Sequence, residues 1–111
     1  MKERTERLRS FAESVRGGRC RVMLLGLGRV GNYLLSYLMQ DASPELEIIA
    51  AGRDRDKLEK DVNIARVAAL IRQTNTARVS VEAGVDLESP ECVAECIARR
   101  QPDIIVNTSR V

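Results

Sequence analysis

Gly26, Gly28 and Gly31 fall in the spacing G-x-G-x-x-G, directly after the apolar run Val22, Met23, Leu24 and Leu25. Residue type and spacing together suit one task, holding a pyrophosphate against the start of a helix. Gly26 turns the chain tightly out of a strand. Gly28 has no Cβ, so a phosphate can approach the backbone closely. Gly31 lets the new helix pack against the sheet. The free N–H groups at the helix start, with the positive end of its dipole, then face the anion. Leu27, Arg29 and Val30 complete the loop and share the expectation of cofactor contact.

Three further stretches carry groups suited to the same ligand. After the second apolar run come Gly52, Arg53 and Asp54. A planar guanidinium at Arg53 matches the oxygens of a ribose 2′-phosphate, which favours NADP, with NAD as second choice. Glu47 falls at about the spacing of a ribose-binding acid but at the wrong end of its strand. Asp54 follows as an acidic group near the ribose, but reads better as a helix cap. Asp86 and Leu87 follow the third strand, where Leu87 packs on an adenine ring and Asp86 accepts from its amino group, unless Asp86 merely ends the strand. Asn107, Thr108 and Ser109 close the fourth strand and face the pyrophosphate or the nicotinamide ribose, unless they form a plain loop.

The elements that must position these groups alternate along the chain. Residues 2–16 place Leu8, Phe11, Ala12 and Val15 on one stripe of an amphipathic helix, and Gly17 and Gly18 end it as a hinge. Residues 19–25 form a strand buried on both faces. A helix over 29–40 buries Val30, Leu34, Leu35 and Leu38, and the stretch from Asp41 to Pro44 breaks it. A strand over 47–51 leads to a long helix reaching about residue 73, capped by Asp54 or by Asp56 with Glu59, with Leu58, Val62, Ala65 and Ala69 inward. Residues 78–83 alternate polar outward and apolar inward as a strand. Ser89 and Pro90 start a helix over 91–100. Ile104, Ile105 and Val106 form a short buried strand within 103–107. The expected fold is α/β: a Rossmann-like parallel sheet of about four strands, ordered 3-2-1-4, with helices on both faces and an added N-terminal helix. The boundary falls at 1–18 for that helix and hinge, and 19–111 for a partial nucleotide-binding domain.

Composition narrows the chemistry. The 111 residues carry a net charge of +2 and no histidine, so the commonest general base is absent and no case arises for nucleic acid. Cys20, Cys92 and Cys96 match no metal pattern and read as reduced thiols of a cytoplasmic protein. No run of roughly 18 apolar residues predicts a membrane span. The chain stops four residues after Asn107, short of a six-stranded fold, which predicts a portion of a longer protein or a natural half-fold. The open sheet edge, or the N-terminal helix, predicts a homodimer.

From about Arg21 to Ser109 the chain resembles the N-terminal part of the saccharopine dehydrogenase-like NAD(P)-binding proteins. The resemblance rests on Gly26 to Gly31, on Ala51 to Asp54 followed by Lys57 and Leu58, on Val85 to Leu87, and on Asp103 to Asn107. It implies hydride transfer between NAD(P) and a C–N bond of an amino-acid or polyamine-type substrate. It assigns no catalytic residue, since the family's substrate groups lie mostly beyond this region. The rival expectation is a nucleotide-sensing module similar to potassium-uptake regulatory subunits, which usually carry an acid where Arg53 stands. A scaffold that binds no ligand is the plainest reading.

Overall fold

The apolar runs become a four-stranded, all-parallel sheet in the computed structural model, which describes residues 20–41, 46–71 and 77–109. The expected helix over 2–16 and its glycine hinge lie outside the described residues. In chain order the elements are β1 (Cys20–Leu25), α1 (Arg29–Asp41), β2 (Leu46–Ala51), α2 (Arg55–Ile71), β3 (Arg78–Glu82), α3 (Pro90–Arg100) and β4 (Ile104–Asn107). The strand order is β3-β2-β1-β4, as expected, and is one of the orders open to alternating strands and helices with right-handed crossovers. Leu25 pairs with Ala51 on one side and Asn107 on the other, so the strands end nearly level.

Successive strand residues point to opposite faces, and the core divides accordingly. Val22, Leu24, Ile48 and Ala50 pack with Leu35 and Met39 of α1 and with Leu58, Val62, Ala65 and Ala69 of α2. Met23, Leu25, Ile49 and Ala51 face the other way, onto Val85 and onto Val93, Cys96 and Ile97 of α3. The central strands are apolar on both faces because helices cover both.

Local signals set the helix starts. The Lys57 N–H donates to Asp54 Oδ1 at 3.3 Å, which makes Asp54 the cap of α2 and leaves Asp56 in its first turn. Ser89 accepts from the Cys92 N–H at 3.3 Å, Pro90 follows, and Gln101 closes α3 in the left-handed region at φ 50°.

Two expectations need correction. Val30 is 65 % exposed; the inner stripe of α1 runs through Gly31, Leu35 and Met39 at i, i+4, i+8, with Leu34 and Leu38 beside it, which turns Val30 outward. The strand over 103–107 is not buried: Ile104 and Ile105 are 50 % and 43 % exposed. No strand pairs with the outer edge of β4 among the described residues, and α3 covers β1 and β2 rather than β4.

In β3 the apolar residues point inward as expected, while the polar ones do not simply face outward. Val79 and Val81 join the α1–α2 side, while Ser80 and Glu82 turn toward α3. Arg100 donates to Glu82 at 2.9 Å and to Ser80, and Arg99 reaches Glu82 at 3.0 Å. Arg21 donates to Glu47 at 3.0 Å and to the Arg100 carbonyl at 2.9 Å. The α3 side of the sheet is thus apolar at its centre, with an ionic rim that runs from Arg21 and Glu47 at the beginnings of β1 and β2 to Glu82 at the end of β3.

Candidate functional site

The glycine loop is built by contacts at the carboxyl ends of β1, β2 and β4. Past the end of β1, Gly26 takes φ +86°, where a side chain is strained, and donates its N–H to the Ala51 carbonyl at 2.9 Å. Thr108, just beyond β4, donates its N–H to the Leu25 carbonyl at 3.1 Å and its hydroxyl to the Gly26 carbonyl. A Cβ on Gly31 would lie 2.5 Å from that same carbonyl oxygen and 2.6 Å from Thr108 Oγ1. The missing side chain at Gly31 therefore seats α1 on the loop and on Thr108, rather than on the sheet itself. A Cβ on Gly26 would meet Ser109 Cβ at 3.0 Å and Leu87 Cδ1 at 3.3 Å. A Cβ on Gly28 would meet nothing within 4 Å among the described residues.

The first helical bond of α1 runs from the Asn32 N–H to the Gly28 carbonyl at 2.9 Å. The N–H groups of Arg29, Val30 and Gly31 precede it and have no partner within the helix. The Arg29 and Val30 side chains are exposed. Leu27 does the opposite: its side chain is 4 % exposed, in the core under α1 and α2.

A tether unseen in the sequence holds this loop from the α2 side. Lys57 Nζ donates to the Leu27 carbonyl at 2.6 Å and to Asp61 Oδ2 at 3.0 Å. Asn32 Nδ2 donates to the same carboxylate at 3.2 Å, and more weakly to the Leu27 carbonyl at 3.4 Å. The i, i+4 spacing of Lys57 and Asp61 is the available signal, but it is indistinguishable from an ordinary surface pair.

Arg53 and Asp86 meet across the β2 and β3 exits. The Gly84 N–H donates to the Arg53 carbonyl at 3.1 Å and the Val85 N–H to the Gly52 carbonyl at 3.0 Å, which zips the two loops together. Arg53 Nη2 then donates to Asp86 Oδ1 at 2.7 Å, and the Glu88 N–H donates to the same oxygen at 3.0 Å. These two donors, the Glu88 amide first, hold the Asp86 carboxyl below its ordinary range. Leu87 packs into the α3-side core and closes against Gly26. At the far side, Asn107 Oδ1 accepts from the Ser109 N–H at 3.0 Å and from its hydroxyl at 2.5 Å.

The expected site residues are thus largely brought together. Gly26, Gly31, Leu87 and Thr108 touch or nearly touch, and Arg53 joins Asp86 beside them. Asp54 spends its carboxylate on the α2 cap. Among the described residues no group of three or more acidic, cysteine or histidine side chains can hold a metal ion, and no helix is long and apolar enough to cross a membrane.

Fold and strand-end loops together define an α/β protein of the Rossmann-like class. No family model matches the chain, and no curated protein matches it in sequence. Among solved structures it is similar to the crystal structure of protein Rv1636 from Mycobacterium tuberculosis H37Rv, at 12 % identity and a TM-score of 0.56, over 79 % of this chain and 69 % of that one. At that identity the likeness concerns the fold alone.

Proposed function

We propose that the chain is the dinucleotide-binding portion of an NAD(P)-dependent oxidoreductase of the saccharopine dehydrogenase-like kind, with NADP preferred to NAD. The observation that carries this reading is the contrast between two glycines. Gly31 is filled around its missing Cβ by the loop carbonyl and Thr108, whereas Gly28 is open at the start of α1, beside three N–H groups with no helical partner. Packing accounts for the first glycine; a close-approaching anion accounts for the second. Arg53, 72 % exposed in its side chain at the end of β2, supplies the cation for a ribose phosphate. Leu87 offers an apolar wall for the adenine.

In this reading the cofactor supplies the hydride chemistry, and this chain grips and orients it. Substrate and acid–base groups come from outside the chain, which carries no histidine. Cys92 and Cys96 form no disulfide, which agrees with a cytoplasmic setting. A second copy of the chain pairing along the exposed β4 edge belongs to the same proposal, and a monomer in light scattering removes that part.

Isothermal titration with NADP, NAD and ATP tests the reading. The expected result is binding of NADP over NAD, with the preference abolished by Arg53→Ala. Equal affinities for the two dinucleotides remove the role of Arg53. Binding of ATP alone replaces the oxidoreductase reading with the regulatory one.

A further inference from the structure

Arg53 is already engaged. Its Nη2 donates to Asp86 Oδ1 at 2.7 Å, yet both side chains face solvent, at 72 % and 42 % exposure. The two ends of this pair differ in how they are held. Asp86 is anchored, because the same oxygen accepts the Glu88 N–H at 3.0 Å in a turn tied by backbone bonds to Gly52 and Arg53. Arg53 reaches it on a long, exposed stem. Only one guanidinium nitrogen contacts the carboxylate, whereas a phosphate monoester takes the planar fork with two parallel bonds. The carboxylate has no capping duty either, since Ser89 caps α3. The neighbouring cations are occupied elsewhere: Arg55 pairs with Glu59 at 3.2 Å, and Lys57 holds the Leu27 carbonyl and Asp61.

We infer that Asp86 is a specificity-determining residue, a resident counter-ion that a ribose phosphate must displace from Arg53. A nucleotide carrying a 2′-phosphate swings Arg53 off the anchored carboxylate; one with a plain 2′-hydroxyl leaves the pair closed. The inference rests on the dinucleotide-binding reading and adds how the site discriminates. Asp86 weakens the preference that Arg53 alone would give, both by neutralising Arg53 and by leaving a fixed negative charge close to the incoming phosphate. An exposed pair couples weakly, so the effect is about two- to fivefold in affinity.

The test is titration of the full chain and its Asp86→Asn variant with NADP and adenosine 2′,5′-bisphosphate, against NAD and adenosine 5′-monophosphate. Asparagine keeps an oxygen for the Glu88 N–H, and a thermal melt equal to wild type verifies the turn. The expected result is that Asp86→Asn binds the two 2′-phosphorylated ligands about two- to fivefold more tightly and the other two unchanged. The gain disappears when Arg53→Ala is added. Equal weakening for all four ligands overturns the inference and makes Asp86 an adenine contact. Unchanged affinities, with NADP still dependent on Arg53, overturn it while leaving the dinucleotide reading intact. If none of the four binds either protein, the dinucleotide reading falls and the counter-ion role falls with it.

Discussion

The ammonium of Lys57 donates to the carbonyl oxygen of Leu27 at 2.6 Å, so the second helix holds the glycine loop from behind. Leu27 also anchors the loop through its buried side chain, and the two contacts fix both the side chain and the carbonyl of one residue. Replacing Lys57 by methionine keeps the stem and removes the charged donor. A hydrogen bond from a charged group to a carbonyl stabilises by about 1.5–3 kcal/mol when well shielded. Lys57 is 56 % exposed, which reduces the expectation to about 1 kcal/mol. Urea denaturation of Lys57→Met reads this loss directly, and NADP titration reads the looser loop as weaker binding. A variant matching wild type in both measurements shows that Asn32 and the core hold the loop without the lysine.

Gly31 and Gly28 separate packing from ligand approach. Alanine at Gly31 drives a Cβ to 2.5 Å from a backbone oxygen that is itself fixed by Thr108. Overpacking of this kind costs about 1–3 kcal/mol, and the loop must shift to relieve it. Alanine at Gly28 meets no described atom within 4 Å, so only its poorer capping counts, within about 1 kcal/mol. Gly31→Ala is therefore expected to lower the denaturation midpoint markedly. Gly28→Ala is expected to leave it nearly in place while dinucleotide affinity falls at least tenfold, or about 1.4 kcal/mol. Retained affinity in a stable Gly28→Ala variant counts against a phosphate at this loop.

Sequence and fold divide the information unevenly around this crevice. The inner face of α2 follows directly from Leu58, Val62, Ala65 and Ala69, because a 3.6-residue period over several turns leaves little freedom. Ser89 followed by Pro90 fixes the start of α3 from local chemistry alone. The edge strand is harder: Ile104, Ile105 and Val106 read as buried because an apolar run does not say what covers it. Val30 is easily misplaced, since a valine beside the glycine loop fits either of two adjacent stripes. At the site, the glycines and Arg53 announce themselves by type and position. The Lys57 tether and the Arg53–Asp86 pair do not, because each joins residues from different loops or helices. Only the parallel strand order brings the β2 and β3 exits together.

Glu82 makes part of the stability pH-dependent. Partial burial of its carboxylate opposes ionisation, but hydrogen bonds from Arg100 and Arg99 outweigh this and hold the group below its ordinary value. The folded form therefore binds its proton less readily than the unfolded chain. The resulting stabilisation is fully present above the ordinary glutamate value, about pH 4.3, and is lost as pH falls through the lower folded value. Glu82→Gln is expected to destabilise by on the order of 1–2 kcal/mol at pH 7, with the gap to wild type closing as the carboxylate takes up its proton. Chemical denaturation across that range measures it, and a gap that stays constant with pH refutes an ionic role for Glu82.

Cys96 offers a reporter for the docking of α3. Its side chain is fully buried against Met23, Leu25 and Ile49. Burial, reinforced by the nearby Glu82 charge, pushes its thiol up from the ordinary cysteine value. Both effects suppress the thiolate, the form that reacts with disulfide reagents. Cys92, one turn earlier and only partly buried, is expected to react in the native protein while Cys96 stays silent. Mild denaturant then exposes Cys96 at a rate set by the opening of α3, the helix that follows the turn carrying Asp86 and Leu87. Adding a bound dinucleotide slows that rate if the ligand bridges the Asp86–Leu87 turn to the glycine loop. Equal labelling of Cys96 with and without saturating NADP shows that the ligand leaves the α3 side of the crevice untouched.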